Sequence, residues 1–246
     1  MTARLDALCL DAHDPVRLAR FWAGLLSWEV APEQAGEQAA GAVLVPTDET
    51  GFRLRLVPTT APKGVQNRMH LDLTSRSLED QQRTVDRVLA LGGRHVNVGQ
   101  TEQDAHVVLA DPEGNELCVI EPGNAFLADC GRVGAVACEG SEQVGRFWSA
   151  ALGWPLVWDQ DQETAIRSPH GGPKLTWGGP PFRPRTGPDR VHLDLSPGAD
   201  ADQGSELARL LSLGATRPEQ EQAAADGRVV LADPDGNRFC LLLGPG

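Results

Sequence analysis

Between residues 69 and 73 apolar and polar side chains alternate strictly, with Met69, Leu71 and Leu73 on one face and His70 and Asp72 on the other. A period of two marks a strand with one buried side. Upstream, "LDALCL" reads as a strand, and Asp14 followed by Pro15 supplies an N-cap and a first helical residue. The helix that follows carries Val16, Ala19, Phe21, Trp22, Leu25 and Leu26 on one apolar face. From Val43 to Val57 the pattern gives short strands around the glycine-containing turn "TDETG". Beyond the His-x-Asp strand, Ser77 caps a helix whose Leu78, Val85, Val88 and Leu89 share a face, and Gly92 with Gly93 stops it. "HVVLADPEGNELCVIE" then reads as two strands around a D-P-x-G-N turn, a composition that tight turns favour for their own geometry.

This pattern is written twice. "ARFWAGLLSWEV" (Ala19 to Val30) returns as "GRFWSAALGWPLV" (Gly145 to Val157), and "NRMHLDL" (Asn67 to Leu73) returns as "DRVHLDL" (Asp189 to Leu195). "VVLADPEGNELCVI" (Val107 to Ile120) returns as "VVLADPDGNRFCLL" (Val229 to Leu242), identical at 9 of 14 positions. Three landmarks in the same order indicate a duplicated domain, and the period is far longer than a solenoid repeat. The reading is one domain over residues 1–127 and a second over 128–246, joined near Ala128 to Arg132. Each half contains two strand-helix-strand-strand-strand modules.

Composition narrows the partners. A formal net charge of -12 argues against nucleic acid or an anionic membrane surface, both of which are met with basic patches. No apolar run approaches a membrane span, and charges interrupt the N-terminal apolar stretch, so a cytoplasmic chain with no membrane partner is expected. Five scattered cysteines without a C-x-x-C pair are expected to be reduced thiols. The basic residues are 20 Arg and 2 Lys, a bias without evident chemistry.

"FWAGLLSWEV", "R-x-H-L-D-L" and "D-P-[ED]-G-N-x-x-C", in this order and in both halves, resemble the vicinal oxygen chelate superfamily: glyoxalase I, bleomycin resistance proteins and extradiol dioxygenases. The closest likeness is to its actinobacterial glyoxalase-like branch. The resemblance implies an α+β fold of two tandem glyoxalase-like domains. In each domain two βαβββ modules form a curved, cup-like mixed sheet with helices on the convex face. Strand alternation then leaves His70 and Asp72 in one cup and His192 and Asp194 in the other. The alternative is that each Asp only satisfies the imidazole or a nearby arginine in a small polar cluster.

Superfamily members that bind a metal draw ligands from the first and later strands of each module. Carried over residue by residue, the resemblance places a histidine at His70 and at His192. The last-strand glutamate falls on Cys118 and Cys240, the first-strand ligand on Asp6 and Gly134, and the remaining glutamate on Arg55 and Trp177, or Thr176 if the register slips by one. A divalent site needs at least three donors, which His192 and Cys240 alone do not provide. Asp6, His70 and Cys118 make a mixed set in the first half, where zinc, iron, nickel or manganese would sit, opposed by the charge of Arg55. The expectation is therefore no cofactor, with a metal admitted in the first half only. Cys118 and Cys240 also read as nucleophiles beside the histidines or as small core residues. Trp177 reads as an aromatic wall of a cup, and His13 and His170 as exposed loop residues.

Three functional readings follow. One is a metal-free protein that binds or sequesters a small organic ligand, as bleomycin resistance proteins do. Another is a metal-free enzyme using His70 with Asp72, or His192 with Asp194, as an oriented general base. The last is a metal-dependent lyase, isomerase or dioxygenase confined to the first cup. The two domains are expected to pack as an intramolecular imitation of a dimer, giving a monomer in solution.

Overall fold

Asp14 accepts a hydrogen bond from the Arg17 backbone N–H and Ser77 accepts one from that of Asp80, so both predicted N-caps start their helices. The computed structural model describes residues 2–31, 41–101, 103–185, 187, 189–198, 203–218 and 228–242. The first half runs β1 (Arg4–Ala12), α1 (Pro15–Leu26), β2 (Glu29–Val30), β3 (Ala42–Val45), β4 (Arg53–Pro58), β5 (Met69–Leu73), α2 (Leu78–Ala90), β6 (Arg94–His95), β7 (Val107–Ala110) and β8 (Glu116–Val119). A short 3-10 turn at Ala125–Leu127 leads into the second half. There follow β9 (Val133–Cys138), α3 (Glu142–Leu152), β10 (Leu156–Gln160), β11 (Glu163–Arg167), β12 (Lys174–Trp177), β13 (Val191–Ser196), α4 (Gln203–Ser212), β14 (Arg228–Ala232) and β15 (Arg238–Leu242). Among the described residues no helix is long and apolar enough to cross a membrane.

The strands form two open mixed sheets, and each draws one module from each half. One has the order β14-β15-β13-β1-β4-β3-β2 and the other β10-β11-β12-β9-β5-β8-β7-β6. The joins are antiparallel: β1 on β13, with Cys9 opposite His192, and β5 on β9, with His70 opposite Ala137. We call the cup built from residues 69–177 the central cup, and the cup built from residues 4–58 and 191–242 the flanking cup.

The core lies under the helices. Leu8, Leu10, Leu54, Leu56, Leu193 and Leu195 are buried beneath one sheet, while His192, Asp194, Cys9 and Arg55 lie on the opposite faces of the same strands. Helix faces are slightly rotated from their predicted setting. Leu18 is buried on α1 while Val16 is exposed, and Val85 and Val88 are buried on α2 while Leu78 and Leu89 are exposed. Trp22 Nε1 donates to Asp111 Oδ2 and Trp148 Nε1 to Asp233 Oδ2, each at 3.2 Å. The D-P-x-G-N aspartates therefore do more than shape a turn. Each anchors its hairpin to the first helix of its own half, which explains why the two sequence landmarks recur together.

Two arginines of the repeated R-x-H-L-D-L strands clasp the halves reciprocally. Arg68 donates to Glu139 and Asn237, and Arg190 donates to the carbonyls of Asp11 and Ala61 and to Glu113.

Candidate functional site

The two His-x-Asp strands meet different surroundings. In the flanking cup the register places Cys9 across from His192 and beside Arg55, and Asp194 beside Cys240. Arg55 Nη1 lies 3.2 Å from Asp194 Oδ2 and Arg228 Nη1 lies 3.5 Å from the same oxygen. His192 Nε2 stands 3.5 Å from Asp194 Oδ1, and both side chains are sealed from solvent. Burial pushes the Asp194 carboxyl up, but His192, Cys9 and Arg55 outweigh it and hold the pKa below the usual carboxylate range. Burial, reinforced by the Asp194 charge, raises the Cys9 thiol well above its ordinary value and the Cys240 thiol to about 12. Both sulfurs are neutral at physiological pH, which removes the nucleophile reading for Cys240.

Asp6 and Arg55 belong to this cup and not to the cup of His70. Asp6 pairs with Arg53 at 3.3 Å and with Arg55 at 3.7 Å. The expected set of Asp6, His70 and Cys118 is thus split between two sheets, because β1 pairs with the second copy of the His-x-Asp strand and not the first. The reading of Asp194 as the partner of a nearby arginine in a polar cluster describes the flanking cup well.

In the central cup His70 Nε2 lies 3.2 Å from Asp72 Oδ1, with side chains 28% and 17% exposed. Asp72 is opposite Cys118 on β8, and a donor atom from each of His70, Asp72 and Cys118 lies within 4.8 Å of the others. Burial alone would lower the pKa of His70, but hydrogen bonding to Asp72 and Cys118 raises it to about 10, so the ring is an imidazolium at neutral pH. Small residues stand where the flanking cup carries large ones: Ala137 opposite His70 corresponds to Cys9, and Thr176 beside Ala137 corresponds to Arg55.

Trp177 is not a cup wall. It is 1% exposed and its ring packs against Gly140 and Gly145 below the sheet, while its neighbour Thr176 takes the cup face. The one-residue alternative in register was the correct one. Trp158 instead stands 37% exposed at the edge of the same sheet, edge-on to Phe126 with ring centroids 5.7 Å apart. His13 and His170 are exposed, as expected.

Cys9 was missed from the sequence, although alternation in "LDALCL" already sets it opposite Leu8 and Leu10. Arg228 carried no sequence signal.

The flanking cup does not fit a metal ion. Cys9, His192 and Asp194 also bring donor atoms within 4.8 Å of one another, but two guanidinium groups already neutralise Asp194. A unit charge about 4 Å from a dication costs on the order of 8 kcal/mol at an effective dielectric near 20. The donors of the central cup fit better: nitrogen, oxygen and sulfur ligands suit a zinc-like ion with a free coordination position, and no arginine makes an ion pair with Asp72 among the described residues.

A family model described as "Glyoxalase-like domain" matches residues 7–120 and 134–242. No curated protein matches the chain in sequence. Among solved structures, glyoxalase I from Zea mays superposes with a TM-score of 0.64 at 13% identity, covering 98% of this chain and 92% of that one. A putative dioxygenase from Bacillus subtilis subsp. subtilis str. 168 gives a TM-score of 0.62 at 16% identity, covering 100% and 86%. At these identities the likeness concerns the fold.

Proposed function

The chain belongs to the glyoxalase-like domain family, within the vicinal oxygen chelate superfamily, and from that premise we propose that it is a metal-free, small-molecule-binding protein whose working site is the central cup. The observation that carries this reading is the difference between two otherwise equivalent pairs: His70 and Asp72 remain open to solvent, whereas His192 and Asp194 are sealed. A polar ligand group would meet the His70 imidazolium and Asp72, and its apolar part would rest on the floor left low by Ala135, Ala137 and Thr176. As an imidazolium His70 does not take up a proton at neutral pH, so binding is favoured over general-base chemistry.

The test is a thermal-shift and calorimetry screen against cationic drugs, neutral phenols and carboxylate metabolites, run on wild type, His70→Ala and His192→Gln. Binding lost in His70→Ala and kept in His192→Gln is the expected result. A ligand indifferent to His70→Ala would overturn the assignment. The pairing of modules within one chain also supports a monomer, which sedimentation would check.

The clustering of His70, Asp72 and Cys118 favours a second reading. These three would hold a divalent ion once His70 gives up its ring proton to make way for it, and a bound ion would supply Lewis-acid polarisation of a ligand oxygen. Elemental analysis after incubation with zinc, iron, nickel and manganese, with His70→Ala alongside, separates the readings. Stoichiometric metal lost in the variant supports the second, and metal in neither protein supports the first.

A further inference from the structure

A cavity of about 590 Å³ lies outside both cups, at the C-terminal ends of β5 and β8, where the connector between the halves crosses the start of α2. Its polar wall includes Arg76 and Arg132, and its apolar wall includes Ile120, Leu127 and Ala128. A second hollow of about 330 Å³ shares Asp80 and Arg132 with it and adds Arg83 and Arg87. Such volumes are those of small-molecule sites.

What sets the arginines here apart is that several without a carboxylate partner lie around one cavity. Ten others make an ion pair with a carboxylate. Arg76, Arg87 and Arg132 make none among the described residues. Among the described residues Arg132 donates to the hydroxyl of Thr84, at 3.0 Å, and to no other group. Burial and then the charges of Arg87 and Arg76 lower its pKa, with Asp80 acting in the opposite direction. Three guanidinium groups therefore converge in a chain whose net charge is -12.

The acids at the cavity are already engaged. Asp80 accepts from the Arg76 backbone N–H and from Arg83, and Glu121 accepts from Asn124. The Ser75 hydroxyl, on the cavity wall, is buried without a hydrogen-bond partner among the described residues. Mutual repulsion among guanidinium groups is relieved when an anion binds between them, and arginine presents paired donors to a phosphate or carboxylate.

We propose that this cavity is a second ligand site, for a small organic anion whose phosphate or carboxylate head is held by Arg76 and Arg132 and whose apolar body lies on Ile120, Leu127 and Ala128. The site is independent of the cups, because the connector supplies one wall and the first turns of α2 another. Arg87, in the adjoining hollow, adds long-range attraction.

Phenyl phosphate is the probe, with inorganic phosphate as the head alone and phenol as the body alone. Calorimetry on the full chain should show phenyl phosphate bound once, inorganic phosphate more weakly, and phenol not at all. Arg76→Gln and Arg132→Gln should each weaken phenyl phosphate about tenfold, while Arg146→Gln and His70→Gln change it less than about twofold. Arg76 has an exposed side chain with no ion pair, so its variant tests the site even if Arg132→Gln destabilises the fold. Amide shifts at Thr74 and Gly131 during the titration would place the probe. No binding of phenyl phosphate at millimolar concentration, or binding indifferent to both arginine variants, would overturn the proposal.

Discussion

The Arg55 guanidinium lies 3.2 Å from the Asp194 carboxylate, and the two residues come from opposite halves of the chain. This ion pair ties β4 to β13 across β1 and fills the floor of the flanking cup. Replacing Arg55 with Met leaves Asp194 buried with less compensation, and should cost about 1–3 kcal/mol, below the full value for a buried pair because Arg55 is partly exposed and Arg228 remains. Urea unfolding at neutral pH measures it.

Acid unfolding tests the same contact with a definite sign. Asp194 has a lowered pKa in the folded state, so its contribution is present above the ordinary carboxylate range and is lost as pH falls through the folded value. Arg55→Met brings the folded pKa closer to the unfolded one. The variant should therefore lose less stability than wild type as the pH is lowered from about 6 to about 2. A circular-dichroism titration in which both proteins lose the same free energy would contradict this account.

The reciprocal clasp makes a third prediction. Arg190 and Glu113 are 3.2 Å apart with side chains only 6% and 8% exposed. Arg190→Ala removes the charge partner of Glu113, which keeps the backbone N–H donors of His13 and Asp14, and also leaves the carbonyls of Asp11 and Ala61 without this donor, and should cost about 2–4 kcal/mol. Arg68→Ala, at a more exposed ion pair, should cost less, and denaturant midpoints rank the two.

How much of this was legible beforehand depended on symmetry. The duplication, both N-caps and the strand faces could be read because each is written locally. The pairing of β1 with β13 could not, because β5 and β13 carry nearly the same R-x-H-L-D-L text and either offers β1 an acceptable partner. That ambiguity sent Asp6 and Arg55 to the wrong cup. Trp177 failed for a different reason: a one-residue shift in register exchanges its face with that of Thr176.

The Trp22 to Asp111 bond should be energetically coupled. Trp22→Phe leaves the buried Asp111 with one donor fewer, at about 1–3 kcal/mol, and opens a small void besides. Trp148→Phe should behave alike through Asp233. A double-mutant cycle of Trp22→Phe with Asp111→Asn should show non-additivity of about 0.5–3 kcal/mol, measured by thermal or urea unfolding.

Gly145 occupies the repeat position that Ala19 fills in the first half. A Cβ there would come within 2.0 Å of Thr164 Oγ1 and 2.6 Å of Thr164 Cβ. Gly145→Ala should therefore lower stability by about 1–3 kcal/mol despite the better helix propensity of alanine. Thr164→Gly in the same chain removes both of these atoms and should restore part of the loss, whereas Thr164→Ala keeps the Cβ contact and should restore less, and melting curves of the two double variants read the difference.

The interleaving of the two sheets also imposes an order in time. Residues 69–177 contain every strand of the central sheet, so a ribosome that has released them has released a complete sheet. The β1–β4 module emerges first yet waits longest, because the strand that covers the other edge of β1 begins only at Val191. For the interval between, a growing chain carries β1 as an open edge, the kind of surface that invites pairing with a neighbour. The last strands to be synthesised are therefore the ones that retire the oldest exposed edge.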